Sequence, residues 1–417
     1  MNASTRPSLS LRKKLAFAFI PCVVFFAAAE LLLRLIDYQS PSADPYASFV
    51  TRSSLFEEGV DGVMFTAKKR TRLFHPIGFK KNKDPDAIRY FTVGGSTTYG
   101  YHLKAPLFDC YCMRLSNQMQ QEYSVPIEPI NCGGVAYASY RLAPIVDETL
   151  NYSPDFIILM TGNNEFLEPR YYEEIFENTS PGQRLLQVSR FIQSLNDLGY
   201  AVGLTKSDDG IGEWKGQYVV RDETEIQHTL DHYTVNLTRM VTACREKNVP
   251  LILCTVPTNL RDWPPFVSEP AAGTSQEEFD ELVKEAQALL DQKKYDECQQ
   301  QCEKLVKKHP RGAIFHYLIA KCLDGQGNAK AALESYIQAR DKDAFPQRAL
   351  SSFNDTVRQI AEENNVRLLD TEKLFIENSE AGIPGNSLFL DNCHPNNKGH
   401  QLITDALMKF VREIKPR

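Results

Sequence analysis

The stretch FTVGGSTTYGY, Phe91–Tyr101, begins as an apolar strand and ends in a turn of glycines and small hydroxylated residues. A phosphate-binding Walker loop is one use of such a turn, but that motif requires Lys and then Ser or Thr after its last glycine. Here Tyr101 and His102 follow Gly100. A serine on a tight turn after a strand suits a nucleophile better, because the turn exposes the hydroxyl beside backbone N–H groups that can face an oxyanion. Ser96 is therefore the first candidate catalytic residue.

Strands and helices alternate along most of the chain around this stretch. Apolar runs such as DFIILMTG and VPLILCTV are separated by segments whose apolar residues recur at helical spacing. Strands that are apolar on both faces are typical of a parallel sheet covered by helices on each side. The pattern therefore predicts an α/β fold, a sandwich built on a parallel sheet of about five strands.

In such sheets ligands bind beyond the carboxyl ends of the strands, so the segments that follow the strands form the candidate site. These segments are small, polar or titratable: GGST at 94–97, NCGG at 131–134, GNNE at 162–165, PTN at 257–259 and DNCHPN at 391–396. A serine nucleophile needs a base, and His394 has Asp391 three residues before it. The carboxylate can hold the imidazole tautomer while the other ring nitrogen takes the serine proton. Ser96, His394 and Asp391 are thus predicted to form a catalytic triad.

Four segments resemble a known family in its own order of motifs. GGSTTYG, NCGG, TGNNEF and DNCHP are similar to blocks I, II, III and V of the GDSL/SGNH hydrolases. The resemblance implies a flavodoxin-like three-layer sandwich of the SGNH hydrolase type. It also implies Ser96 as nucleophile, His394 as general base and Asp391 as the partner that orients the base.

An oxyanion hole is the second part of the site that the resemblance implies. Its donors would be the Ser96 backbone N–H, a block II backbone N–H and the Asn164 side chain. Gly134 is the predicted block II donor, while the family's oxyanion glycine usually lies further on, near Ala136 or Tyr137.

Two positions depart from the family pattern without touching the triad. Gly95 replaces the usual Asp of block I, and Glu165 stands where block III normally has Asp. Glu165 and Asn259 are predicted substrate-binding residues. The alternatives are that Glu165 orients its loop by hydrogen bonds and that Asn259 is an ordinary turn residue.

The N-terminus carries the membrane signal of this sequence. Basic residues at 12–14 precede an apolar run that begins at Leu15, so residues 1–40 are predicted to be a signal anchor with a single transmembrane segment. A cleaved signal peptide is the alternative, because Ala27–Ala29 suits a processing site. Either reading places the catalytic domain outside the cytoplasm, and residues 41–85 are predicted to be a linker.

An insertion divides the predicted hydrolase domain into residues 86–265 and 346–417. Within the insertion, residues 266–345, two segments align with an offset of 34 residues. This offset places Cys298 on Ala332 and also aligns the positions that follow them. That period is the length of a tetratricopeptide repeat, a pair of packed helices. The insertion is therefore predicted to be helical and similar to such repeats, either binding a protein partner or capping the cleft.

Composition excludes several classes of function. The net charge of −6, with Lys and Arg scattered, argues against a nucleic-acid partner. The ten cysteines include no CxxC motif, so a zinc or redox site has no support in the sequence. Mostly buried free thiols are expected, with disulfides as the alternative. No metal or organic cofactor is implied.

The expected function is a membrane-anchored serine hydrolase that cleaves O-acyl esters of a saccharide or a lipid through an acyl-enzyme. The same triad would also serve an O-acetyltransferase of cell-envelope polysaccharide. A third alternative is a binding protein that keeps the fold and works through its repeat-like segment.

Overall fold

The computed structural model describes residues 10–36, 38, 54–167, 185, 188–202, 204 and 220–415. They fall into two compact units. The described residues of 1–51 and 170–209 form a small unit, and those of 52–169 and 210–417 form a large one.

The large unit begins with a small antiparallel sheet. Its strands are β1 (Phe56–Glu58), β2 (Val63–Thr66) and β3 (Gly78–Lys80), in that order. Phe56 and Met64 belong to the main hydrophobic core. The prediction of a linker over 41–85 is therefore wrong for residues 54–85, since three short strands leave little periodicity in a sequence yet bury apolar side chains. Residues 41–53 lie outside the described residues.

The main sheet confirms the predicted α/β fold. Its five strands are parallel and lie in the order β5-β4-β6-β7-β8. The strands are β4 (Ile88–Gly94), β5 (Ile127–Gly133), β6 (Phe156–Met160), β7 (Leu251–Cys254) and β8 (Arg367–Leu369). Counted along the chain, this is the flavodoxin-like order 2-1-3-4-5. Every residue of β4, β6 and β7 is buried, as expected of strands covered on both faces.

Two groups of helices surround the sheet. Tyr111–Glu122 packs on Asn397–Ile414, while Glu223–Glu246 packs on both Ser139–Thr149 and Ser351–Glu363. All five contribute buried apolar residues to the same core as the strands. Among the described residues of this unit, the shorter helical segments are Val60–Gly62, Ser96–Tyr99, Pro106–Asp109, Leu150–Tyr152, Thr371–Glu377 and Glu380–Gly382.

The predicted insertion is helical. Its four consecutive helices are Gln276–Asp291, Tyr295–Lys308, Ala313–Gly325 and Ala329–Asp341. They share a second hydrophobic core, which Leu260 and Ile383 from the α/β domain complete. Cys298 and Ala332, 34 residues apart, are both fully buried, as packing of repeated helices requires. Similarity to tetratricopeptide repeats stays a prediction.

The small unit contains the helices Leu11–Leu35 and Arg190–Ala201. Glu30 of the first accepts hydrogen bonds from the Phe191 N–H and the Ser189 hydroxyl, each at 2.9 Å. Within the part of the chain that the structure describes, no helix combines the length and the apolar character needed to cross a membrane. The predicted transmembrane segment is therefore not supported.

The nine cysteines other than Cys22 are free thiols, and all nine are buried. This agrees with the expectation of mostly buried free thiols.

Candidate active site

Ser96 lies at the sharp turn that follows β4. It is the first residue of the helix Ser96–Tyr99 and is buried. Asn131, on β5, ties this turn to the sheet: its Nδ2 donates to the Thr98 carbonyl at 2.9 Å, and its Oδ1 accepts from the Gly133 N–H at 2.8 Å. The position of the serine hydroxyl is therefore set by the neighbouring strand as well as by the turn.

Glycine is required where β4 meets the turn. A Cβ atom on Gly94 would overlap the Met160 carbonyl oxygen and the Thr98 hydroxyl, which is part of the turn itself. Only a residue without a side chain lets β4, β6 and the turn approach this closely.

The structure brings the three predicted triad residues together in the required order. The Ser96 Oγ and the His394 Nε2 are 2.7 Å apart, and the His394 Nδ1 and the Asp391 Oδ2 are 2.6 Å apart. The other carboxylate oxygen of Asp391 accepts from the backbone N–H groups of Cys393 at 2.9 Å and His394 at 2.8 Å. The carboxylate is thus oriented by its own loop, and it orients the imidazole in turn.

Burial and charge have opposite effects on the pKa values of Asp391 and His394. Burial disfavours the ionised form of Asp391, but its hydrogen bonds and its attraction to His394 outweigh burial and lower the pKa of the carboxyl group. Burial likewise disfavours the imidazolium, but the adjacent Cys393 sulfur and the Asp391 carboxylate raise the pKa of His394 above its ordinary value. The environment therefore favours a carboxylate beside a strongly basic imidazole.

Gly134 is not available as an oxyanion donor, contrary to the sequence prediction. Its N–H donates to the Gly94 carbonyl at 2.9 Å. Two residues further on, Ala136 has a left-handed backbone with φ of 62°, and no described residue accepts a hydrogen bond from its N–H. The backbone N–H of Ala136 is thus without a described acceptor, as is the N–H of Ser96, which as the first helical residue has no intrahelical acceptor.

Asn164 lies against the same loop. Its Nδ2 donates to the Tyr137 carbonyl at 2.9 Å. A Cβ atom on Gly95 would lie 2.5 Å from that Nδ2. The amide is therefore held beside the nucleophile's turn, as an oxyanion donor requires.

Glu165 does not face a substrate, so its assignment as a substrate-binding residue is wrong. It is almost fully buried, and its two oxygens accept from the N–H of Ser139 at 2.8 Å and from the Ser139 hydroxyl at 3.0 Å. Ser139 begins the helix Ser139–Thr149, whose N-terminus favours a negative charge. Glu165 thus anchors the turn that carries Asn164.

Asn259 is also a positioning residue rather than a substrate contact. It is fully buried; its Nδ2 donates to the Asp391 carbonyl at 3.0 Å and to the Asn386 Oδ1 at 2.9 Å, and its backbone N–H donates to the Asn392 carbonyl at 2.9 Å. Because these bonds reach the loop that carries Asp391, Asn259 secures that loop from the segment that follows β7.

The sequence prediction missed His102. Its Nε2 lies 3.3 Å from the Asp391 Oδ2, and its ring centroid is 5.3 Å from that of His394. Gly100 and His102 both have a left-handed backbone, with φ of 86° and 67°, which turns the chain back over the site. No spacing rule in the sequence connects this histidine to an aspartate so far along the chain.

A small cavity adjoins the nucleophile. Its volume is about 10 Å³, which is space for about one water-sized group. It is lined by Gly95, Ser96, Thr97, Met160, Thr161, Gly162, Asn163, Asn164 and Val256.

Comparison with known proteins gives one similar sequence and several similar structures. No protein-family model matches the chain. The acetylxylan esterase of Geobacillus stearothermophilus is 34% identical over 79 residues, which are 19% of this chain and 34% of that protein. The chain thus matches about a third of the length of this relative.

Among solved structures, the lipase/acylhydrolase from Enterococcus faecalis is 11% identical with a TM-score of 0.39, over 79% of this chain and 98% of that one. The acetyl xylan esterase AlAXEase is 13% identical with a TM-score of 0.36, over 78% of this chain and 100% of that one.

Proposed function

We propose that this protein is a serine esterase of the GDSL/SGNH type that hydrolyses O-acyl esters through an acyl-enzyme. The observation that carries the proposal is the continuous hydrogen-bonded chain from Ser96 through His394 to Asp391, with contacts of 2.7 and 2.6 Å. The sequence motifs and the partial similarity to an acetylxylan esterase support the same class of reaction.

The geometry supports a two-step reaction. His394 Nε2 takes the hydroxyl proton as Ser96 Oγ attacks the ester carbonyl, and the N–H groups of Ser96 and Ala136 with the Asn164 amide bind the oxyanion. The tetrahedral intermediate then expels the alcohol, which receives the proton from His394. Water, deprotonated by His394, attacks the acyl-enzyme, and the acid leaves as Ser96 regains its proton.

We further propose that the acyl group is short, with acetyl esters of a carbohydrate as the preferred substrate class. The cavity beside Ser96 has space for about one water-sized group, which matches the methyl of an acetyl group. Val256 and Met160, which line this cavity, are both buried. The relative's name, acetylxylan esterase, points to the same acyl group.

The test combines labelling of the nucleophile with a series of p-nitrophenyl esters. We expect a fluorophosphonate to label the wild-type protein at Ser96 and not Ser96→Ala, and turnover to depend on Ser96. The rate should fall at least tenfold from acetate to butyrate and further to octanoate. Absence of both labelling and Ser96-dependent turnover would refute the esterase; equal rates along the series would refute the short-chain preference alone.

A further inference from the structure

Three metal-ligating atoms converge beside the nucleophile. They come from His102, Asp391 and His394, each of which offers one ligand atom, and the three atoms all lie within 4.8 Å of one another. The carboxylate oxygen is shared, at 3.3 Å from His102 and 2.6 Å from His394. The set of two imidazoles and one carboxylate is not needed for ester hydrolysis, because the triad uses only one histidine.

These donors suit a zinc ion. Zinc binds His nitrogen and carboxylate oxygen at about 2.0–2.2 Å in tetrahedral geometry, which places two donors about 3.3 Å apart. The separation between His102 and Asp391 already has this value. The hydrogen-bonded pair of Asp391 and His394 would have to open by about 0.7 Å to admit the ion.

The site is also accessible. The His102 side chain is 50% exposed, whereas those of Asp391 and His394 are 18% and 12% exposed. An ion can therefore arrive from solvent on His102 and reach the two inner ligands. Three protein ligands leave a fourth tetrahedral position open for water or a substrate oxygen.

We infer that His102, Asp391 and His394 form an inhibitory binding site for zinc. Zinc takes the place of the proton on His394 Nδ1; an imidazolium releases that proton to solvent, and a neutral imidazole transfers it through water to its own Nε2. In both cases the metal-bound ring carries its one proton on Nε2. That nitrogen becomes a donor toward Ser96 and loses the lone pair that accepts the serine proton. Zinc thereby switches off the base without touching the nucleophile. The inhibition rests on the proposed esterase function; the binding does not.

Zinc affinity is measured first, without reference to activity. The full chain carrying Ser96→Ala competes with a chromophoric chelator for zinc, alone and combined with His102→Asn or with His228→Asn as a control on a distant helix. We expect His102→Asn to weaken binding at least tenfold and His228→Asn to leave it unchanged. Asn suits the left-handed backbone of position 102, and His102→Gln serves as a second variant if Asn impairs folding.

Inhibition is measured next on the enzyme with Ser96 present. Zinc should lower acetyl ester turnover reversibly, with recovery on adding a chelator, and His102→Asn should raise the half-inhibitory concentration at least tenfold relative to its own zinc-free rate. Equal zinc affinity with and without His102 overturns the site, even if the esterase is active. Zinc binding that depends on His102, in a protein that shows neither labelling of Ser96 nor Ser96-dependent turnover, upholds the site and refutes the proposed function.

Discussion

Asp391 is the residue on which the site's contacts converge. Its two oxygens face the N–H groups of Cys393 and His394, the imidazole of His394 and the more exposed imidazole of His102. The carboxylate is thus ionised and fully engaged, and its charge contributes to the raised pKa of His394. His394 can act as the base only while its imidazole is neutral.

The pH dependence follows from this raised pKa. Because a protonated His394 cannot accept the serine proton, we expect kcat/KM to fall as the pH drops below a pKa that lies above the ordinary value of about 6.5. Asp391→Asn should lower kcat by about 10⁴-fold, and the remaining activity should have its acid limb at lower pH, since the stabilising charge is gone. The pH–rate profile tests both effects. Asp355→Asn, at an exposed position, is the control and should keep the wild-type profile.

Asn164 tests the oxyanion hole. Asn164→Ala should lower kcat by about 10²–10³-fold with little change in KM, because the amide is required mainly in the transition state. Steady-state kinetics on p-nitrophenyl acetate measure the effect. A loss of less than tenfold would show that this amide does not bind the oxyanion.

At the scale of elements, the site depends on short turns clamped between strands. The helix Ser96–Tyr99 spans a single turn and has no stability of its own. The Asn131 side chain links the Thr98 carbonyl of this helix to the Gly133 N–H on β5. Glu165 holds the turn that carries Asn164, and Asn259 holds the loop that carries Asp391. The strands therefore hold the reacting groups, and each turn has one buried polar clamp.

Asn131→Ala removes one such clamp. It leaves a buried carbonyl and a buried N–H without their partner, so we expect the free energy of unfolding to fall by about 1–3 kcal/mol. The rate of ester hydrolysis should fall as well, because the Ser96 turn is released. Urea denaturation and steady-state kinetics measure the two effects. Asn151→Ala, at an exposed site, should change neither, and an unchanged rate in Asn131→Ala would contradict the clamp.

At the scale of the large unit, a buried arginine and its ion pairs connect the helical insertion to the α/β domain. Arg340 is fully buried at the end of the last inserted helix. It forms ion pairs with Asp341 at 2.9 Å and Glu372 at 3.0 Å and donates to the Ser351 hydroxyl at 2.7 Å. Together with the apolar contacts of Leu260 and Ile383, these bonds make the insertion part of the same folded body.

Arg340→Ala should therefore destabilise the protein by about 3 kcal/mol, because it removes the buried cation beside Asp341 and leaves Glu372 with only its ion pair to Arg358. The midpoint of urea denaturation measures the loss. Lys330→Ala, an exposed change on the same helix, is the control. Equal midpoints for the two variants would show that the insertion does not depend on this ion-pair cluster.

Local pattern was sufficient for the fold and for half of the site. Strands that are apolar on both faces indicated a parallel sheet. Asp391 and His394 are three residues apart, so a single loop can supply both groups. Ser96 was identifiable because a strand, two glycines and a serine describe a turn in any context. Each of these inferences depends on period or spacing within a short segment, which the sequence contains in full.

The tertiary structure alone decided what each polar group faces. The sequence favoured Gly134 as the block II donor, but in the fold the Gly134 N–H donates to the Gly94 carbonyl, while no described residue accepts a hydrogen bond from the Ala136 N–H. Glu165 and Asn259 follow strands as substrate-binding residues do, yet both are buried and hydrogen-bonded to loops of the site. His102 meets Asp391 across the fold. The reason is that hydrogen-bond partners and burial arise from contacts between distant segments, whereas a sequence pattern specifies only the segment in which it lies.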